Sequence, residues 1–194
     1  MRQEEPMDLW VYEREAFDAG IKLVCGVDEA GAGPLMGPVY AAAVILPEDY
    51  DLPALNDSKK LTEKKREMLF PLIKERAIAW SVAWVEASEI DATDILSARM
   101  KAMQMAINGL SVTSDMALID GNRDKGHSAA ISTAHRCIVG GDGKSASIAA
   151  ASVLAKVSRD HYVTEVLDKA YPQYQLARHK GYGLSLIHIS EPTR

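Results

Sequence analysis

Two carboxylic acids stand side by side in the stretch GVDEAGAGPL, Asp28 and Glu29, behind an apolar run and ahead of a turn that is almost bare backbone. Two more acids have similar settings: Asp120 closes the run MALID, and Asp142 follows HRCIV in a glycine-rich stretch. If these runs are neighbouring strands, three or four carboxylates converge at one sheet edge, where open sheets usually carry their sites. Adjacent strands lie about 4.8 Å apart, a spacing that lets carboxylates share cations. Oxygen ligands without a nearby Cys or His cluster favour Mg²⁺ or Mn²⁺. Two such ions about 4 Å apart are suited to hydrolysing a phosphodiester. Without metal, close carboxylates raise one another's pKa.

Each acid taken singly has a plainer reading. A DE pair is commonly solvated turn chemistry, Asp120 before Gly-Asn is a turn former, and Asp142 is a helix cap. Their shared place at strand ends brings the two readings level, and the glycines tilt the balance toward a site. Gly31 and Gly33 lack side chains where backbone would approach a ligand, and glycine there also suits a left-handed turn. KSASIAAAS, from Lys144, opens a helix with small residues. Its free N–H groups are placed to receive a phosphate, and its alanines equally suit close packing on a sheet.

The elements that must position these groups alternate along the chain. Residues 8–19 read as a helix with Leu9, Tyr12, Ala16 and Phe17 on one face, ended by Gly20. Residues 21–28 read as a strand buried on both sides, and residues 39–46 as a second between Pro38 and Pro47. Residues 61–75 give a helix with an anomalous Pro71, expected to kink it. Residues 78–85 give a strand with Trp80, Val82 and Trp84 on one side. Residues 91–110 form the clearest helix, with Leu96, Met100, Met103, Ile107 and Leu110 in phase. Short strands at 116–120 and 131–139 precede a long helix from Ser145 to about Lys169. The order predicts an α/β fold, a mixed central sheet flanked by helices.

The bounds agree. At 194 residues, 47% hydrophobic and 25% charged, the chain suits one globular domain. Cys25 and Cys137 lie in apolar runs and read as reduced core thiols. No signal peptide or membrane-length apolar run is seen, which leads to a cytoplasmic expectation. The net charge of −5 argues against a broad basic surface. It does not exclude a nucleic-acid substrate, because metal would neutralise a cluster of acids.

Taken together, GVDEAGAGPLMGPV, LNDSKKL, LIDGN, GGDGKSASIAAASVLAKVSRD and HKGYG resemble the ribonuclease HII family, in its order and over roughly residues 9–183. The resemblance implies a ribonuclease H-like fold. It implies a divalent-metal endonuclease cutting the RNA strand of RNA–DNA hybrids, and the 5′ side of ribonucleotides embedded in duplex DNA, leaving 3′-OH and 5′-phosphate ends. It places catalysis and two metal ions, Mg²⁺ or Mn²⁺, on Asp28, Glu29, Asp120 and Asp142. It places the 2′-OH sensor on Gly31, Ala32 and Gly33, and a sugar-stacking tyrosine on Tyr182. Lys59 in DSKKL, Lys144 and Ser145 are further candidates for phosphate contact. A monomer without membrane association is expected, acting in ribonucleotide excision repair.

Two features depart from the family pattern. The turn usually reads Gly-Arg-Gly, and position 32 is alanine, which keeps backbone donors and loses a cation. After Gly183 the sequence LSLIHISEPTR matches nothing familiar, so residues 1–183 are read as the catalytic domain and 184–194 as a non-native tail. The competing readings are ribonuclease HIII or a resolvase of the same fold, a hybrid-binding protein that does not cut, and a phosphate-binding small-molecule enzyme. The single-domain length and the setting of Tyr182 favour ribonuclease HII over the first, a non-cutting protein needs a broken acid set whereas all four acids are present, and cleavage of a duplex carrying one ribonucleotide would separate them all.

Overall fold

Runs of small and β-branched residues account for the centre of the sheet. The computed structural model describes residues 8–48, 50 and 61–182. Lys59 and the tail 184–194 lie outside the described residues. Five strands form one sheet in the order β3-β2-β1-β4-β5: β1 Val24–Ala30, β2 Val39–Ile45, β3 Ala79–Val85, β4 Met116–Asp120 and β5 His135–Ile138. The pairs β1–β2 and β2–β3 are antiparallel, whereas β1–β4 and β4–β5 are parallel. All seven residues of β2 are buried, which is why it reads as an unbroken apolar run.

Helices cover both faces, as the alternation of elements predicted. On one face Ala42 and Val44 of β2 pack with Leu69 and Ile73 of α2 (Glu63–Arg76) and with Ala150 and Leu154 of α5 (Ala146–Tyr162). On the other, Val27 of β1 and Ala43 of β2 meet Met100, Met103 and Ile107 of α4 (Ile95–Asn108). Among the described residues the other α-helices are α1 (Val11–Asp18) and α3 (Ala87–Ala92), with two short ones, α6 (Asp168–Ala170) and α7 (Leu176–His179), near the end. The small residues opening α5 serve close packing. A Cβ on Gly26 of β1 would fall inside the backbone of Ser147 and Ile148, so α5 lies directly on the strand.

Several expected boundaries move. The helix read at 91–110 is two, because Asp94 breaks it: its Oδ1 accepts from Ser97 N–H at 2.9 Å as an N-cap, and its backbone is extended. The last helix does reach Ala170, close to the expected end, but not as one α-helix: it is α-helical to Tyr162, widens into a π-turn over Val163–Leu167 and is α-helical again over Asp168–Ala170. β5 is shorter than 131–139. Pro71 sits inside a continuous α2 on its exposed side, where the unpaired carbonyl one turn back can meet water. Trp80 and Trp84 do lie on one side of β3, but it is the more exposed side. There Trp84 stacks on Tyr40 with centroids 5.6 Å apart. Cys25 and Cys137 are free thiols.

Candidate active site

β1 extends past Asp28 to Ala30, so the adjacent acids lie within a strand and not just after it. Strand alternation sends them to opposite faces. Asp28, only 6% exposed, turns toward α5, where Ser152 hydrogen-bonds its carboxylate; it also accepts from Glu29 N–H at 2.7 Å. Glu29 turns toward α4 and forms an ion pair with Arg99. The parallel register pairs Val27 with Ile119, which sets Asp120, the last residue of β4, beside Asp28 within β1. Asp120 Oδ1 accepts from Gly141 N–H at 2.5 Å. That N–H begins the short 3₁₀ turn Gly141–Gly143 carrying Asp142, and Gly140 enters it in the left-handed region. The turn thereby hangs Asp142 next to Asp120.

The acids sense one another. Burial, then the charges of Glu29 and Asp120, hold the Asp28 carboxyl well above the usual carboxylate range. Burial also pushes Glu29 up, against the pull of Arg99. Asp120 is raised by burial and by Asp142, against the donor at Gly141. Among the described residues no three such side chains yet converge as a cage for one ion. Glu29 Oε1 is held by Arg99 and Asp120 Oδ1 by the Gly141 N–H, so the acids share an edge without closing on a point.

A cleft of about 260 Å³ runs from Glu29 past the glycine turn to Tyr182, walled by Arg66, Ser152 and Lys156. Gly31 has φ +105°, and a Cβ there would collide with Arg159 and stand 2.7 Å from the Pro38 carbonyl oxygen. Gly33 faces Tyr182, whose Cε1 would be 3.6 Å from a Cβ at that position. Ala32 packs partly into the apolar cluster on the α4 side. The Tyr182 ring is 45% exposed, with Lys156 Nζ 5.7 Å from its centroid. A half-exposed aromatic beside bare backbone and a cation suits a sugar–phosphate chain.

The sequence profile of the Ribonuclease HII family matches residues 25–187. The chain belongs to the ribonuclease HII family. It is 49% identical over 177 residues to a ribonuclease HII of Acetivibrio thermocellus, covering 91% of this chain and 67% of that one. It is 53% identical over 166 residues to a ribonuclease HII of Aliivibrio fischeri, covering 86% and 78%. Among solved structures it is similar to ribonuclease H2 from Pyrococcus horikoshii OT3, with a TM-score of 0.68 and 26% identity over 84% of this chain and 81% of that one. This ribonuclease HII family member is accordingly a ribonuclease H endonuclease, a hydrolase acting on RNA in RNA–DNA hybrids.

Not every candidate faces the cleft of this family member. Ser145 is fully buried: it N-caps α5, accepting from Ile148 N–H at 3.2 Å, and donates to Glu13 Oε1 at 2.6 Å. Its assignment to substrate is corrected on that ground. The same geometry corrects the expectation of a phosphate at this helix end. Ala146 N–H donates to the Leu9 carbonyl at 2.8 Å and Ser147 N–H to Glu13 Oε1 at 3.0 Å. The Glu13 carboxylate, from α1, already occupies the place an anion would take. Lys144 Nζ donates to the Val139 carbonyl at 2.7 Å, folding back on its own loop. Sequence reasoning missed Arg99, Ser152, Lys156 and Arg159. The last three carried a signal, since they recur at helical spacing along one side of an otherwise small-residue helix.

Proposed function

We propose that Asp28, Glu29, Asp120 and Asp142 hold two divalent ions, Mg²⁺ or Mn²⁺, that the glycine turn reads a ribose beside them, and that Tyr182 reads the adjoining sugar. The enzyme would then cut the RNA strand of hybrids, and the 5′ side of a ribonucleotide embedded in duplex DNA, leaving 3′-OH and 5′-phosphate ends. The observation that carries this reading is the continuity of the cleft, which joins Glu29, Gly31, Gly33 and Tyr182 on one surface. The residues present fit divalent ions. Glu29 Oε2 is buried without a hydrogen-bond partner, and the raised Asp28, Glu29 and Asp120 carboxyls lack the positive charge that would let all three ionise. All four ligands are hard oxygen donors.

Bound divalent ions supply an activated water and stabilise the leaving oxygen of a phosphodiester. The chain's own groups do the rest. Ser152 and the Glu29 N–H orient the Asp28 carboxylate, and the Gly141 N–H orients Asp120. The turn, bare at Gly31 and Gly33, brings main-chain groups within reach of a 2′-OH, the group that separates RNA from DNA. Tyr182 presents its ring to the adjoining sugar, where shape discriminates. Lys156, at the rim, offers a cation to the phosphate chain.

Cleavage of a duplex carrying one ribonucleotide, set against the same duplex in all-DNA form, tests this. Cutting 5′ to the ribonucleotide with no cutting of the all-DNA strand is expected. Asp28→Asn and Asp120→Asn should each lower turnover by about a thousandfold or more, in keeping with losing a charged group on which the transition state depends. Near-normal turnover of either variant would sink the assignment.

A further inference from the structure

Arg159 is among the largest fully buried side chains, and its three hydrogen bonds among the described residues all go to main-chain carbonyls. Its Nε donates to Pro38 at 3.2 Å and Nη2 to Met36 at 2.9 Å, both at the exit of the glycine turn. Its Nη1 donates to Lys180 at 3.0 Å, two residues before Tyr182. A buried guanidinium is costly unless its donors are satisfied, and here the satisfaction comes from tying together two segments that are remote in sequence. The glycines make room for it: a Cβ on Gly31 would collide with Arg159, and one on Gly37 would stand 3.6 Å from Nη2. A second clasp lies alongside, Leu35 N–H to the Gly181 carbonyl at 2.9 Å. Lys180 and Gly181 hold left-handed backbone, φ 53° and 85°, a conformation free to glycine but one that the lysine keeps only where its surroundings enforce it.

We propose that Arg159 is a positioning residue for substrate discrimination: it locks the glycine turn and the Tyr182 arm into one rigid gauge, so that the ribose and the adjoining sugar are read at a fixed separation. This rests on the reading that the turn touches the ribose and the tyrosine the adjoining sugar. Arg159 stands behind them and touches neither substrate nor metal. Lysine keeps the charge but cannot reach three carbonyls at once, because the fork of donors is lost. Gly181→Ala loosens the same clasp by another route, since its Cβ would stand 2.9 Å from the Met36 carbonyl oxygen.

The experiment uses the full chain and the variants Arg159→Lys, Arg159→Gln, Gly181→Ala and Tyr182→Ala. It measures kcat/KM on a single-ribonucleotide duplex, the affinity ratio of that duplex to its all-DNA twin, Mn²⁺ affinity by calorimetry, and Tm. For the Arg159 variants the affinity ratio should fall about tenfold and kcat/KM about tenfold to a hundredfold, the scale of a misplacement near 1 Å. Mn²⁺ affinity should stay within about twofold of the parent protein. Gly181→Ala should reproduce the pattern, and Arg159→Lys with Gly181→Ala should be no worse than the worse single change. A lowered Tm with an unchanged affinity ratio would make Arg159 merely structural and overturn the proposal. So would a loss of Mn²⁺ affinity matching the loss of activity. If the Arg159 variants do not fold, Gly181→Ala decides alone, and a parent-like ratio there overturns the proposal. A parent-like ratio in Tyr182→Ala removes the reading beneath it. A collapsed ratio in Tyr182→Ala beside an intact one in Arg159→Lys removes only the role of Arg159.

Discussion

Asp28 is bound to destabilise the metal-free protein. Its carboxyl is held well above the ordinary range, mainly by burial and then by Glu29 and Asp120. Below about pH 4 it is protonated in both folded and unfolded chains and contributes nothing. As pH rises from there toward the raised folded value, the unfolded chain releases a proton that the folded chain keeps, so folding loses stability. Asp28→Asn should therefore raise Tm in EDTA at pH 7–8 by a few degrees, about 2–4 °C per kcal/mol in a chain of this size. The gain should vanish near pH 4 and shrink when Mg²⁺ is added. A variant equally or less stable than its parent at pH 8 without metal would refute this. Arg99 gives a second outcome at this scale. It stands where a cation is wanted, paired with Glu29, so Arg99→Met should tighten Mn²⁺ binding several-fold by calorimetry, through removal of a competing positive charge. Weaker binding would show that Arg99 preorganises Glu29 instead. The acids were legible because they punctuate apolar runs. Arg99 was not, because a lone arginine beside an apolar helical stripe reads as solvent-facing until the partner strand is in place.

At Gly26 helix α5 and strand β1 meet with no strand side chain between them, and the site depends on that closeness. Gly26 lies two residues before Asp28, and a Cβ there would occupy the backbone of Ser147 and Ile148. Gly26→Ala must push α5 away from the sheet, since neither backbone can yield locally. It should cost about 3 kcal/mol or more, the upper range for overpacking, and read as a Tm loss on the order of 6–12 °C. Ser152 would move off Asp28, so activity should fall further than the fraction unfolded explains. A Tm within about 2 °C of the parent would show that the two elements slide freely. At this scale the sequence was informative wherever one element carries one pattern. β4 is found at Met116–Asp120 as read, because MALID has sharp polar limits. The helix read at 91–110 kept its apolar phase through a break that only the Asp94 cap creates. The helical run after Tyr162 widens into a π-turn that no residue pattern announces.

The whole molecule sets an acidic protein against a polyanionic substrate. The chain carries a net charge of −5, with acids gathered at one end of the sheet and a cleft whose rim offers Arg66 and Lys156. The mixed-sheet architecture could be foreseen from the order of elements, but not which acids and bases would share a wall, since that depends on packing across the sheet. The charges imply that attraction to nucleic acid is local and conditional. With the acids unneutralised, repulsion at the catalytic end opposes the two rim cations, and the screened field extends only about 10 Å at 0.1 M salt. Divalent ions at the acid edge would neutralise that local field. Duplex affinity should thus rise about tenfold or more when Mg²⁺ replaces Na⁺ at matched ionic strength, against the usual tendency of added divalent cations to compete for phosphates. Fluorescence anisotropy of a single-ribonucleotide duplex, read before appreciable cleavage, measures this directly. The double variant Asp28→Asn, Asp120→Asn removes two of the acids, so it should bind more tightly than the parent without metal and gain less from Mg²⁺. Equal affinity of the parent with and without Mg²⁺ would show that the acid edge lies clear of the bound strand, and the cleft joining Glu29 to Tyr182 would then not be the path the strand takes.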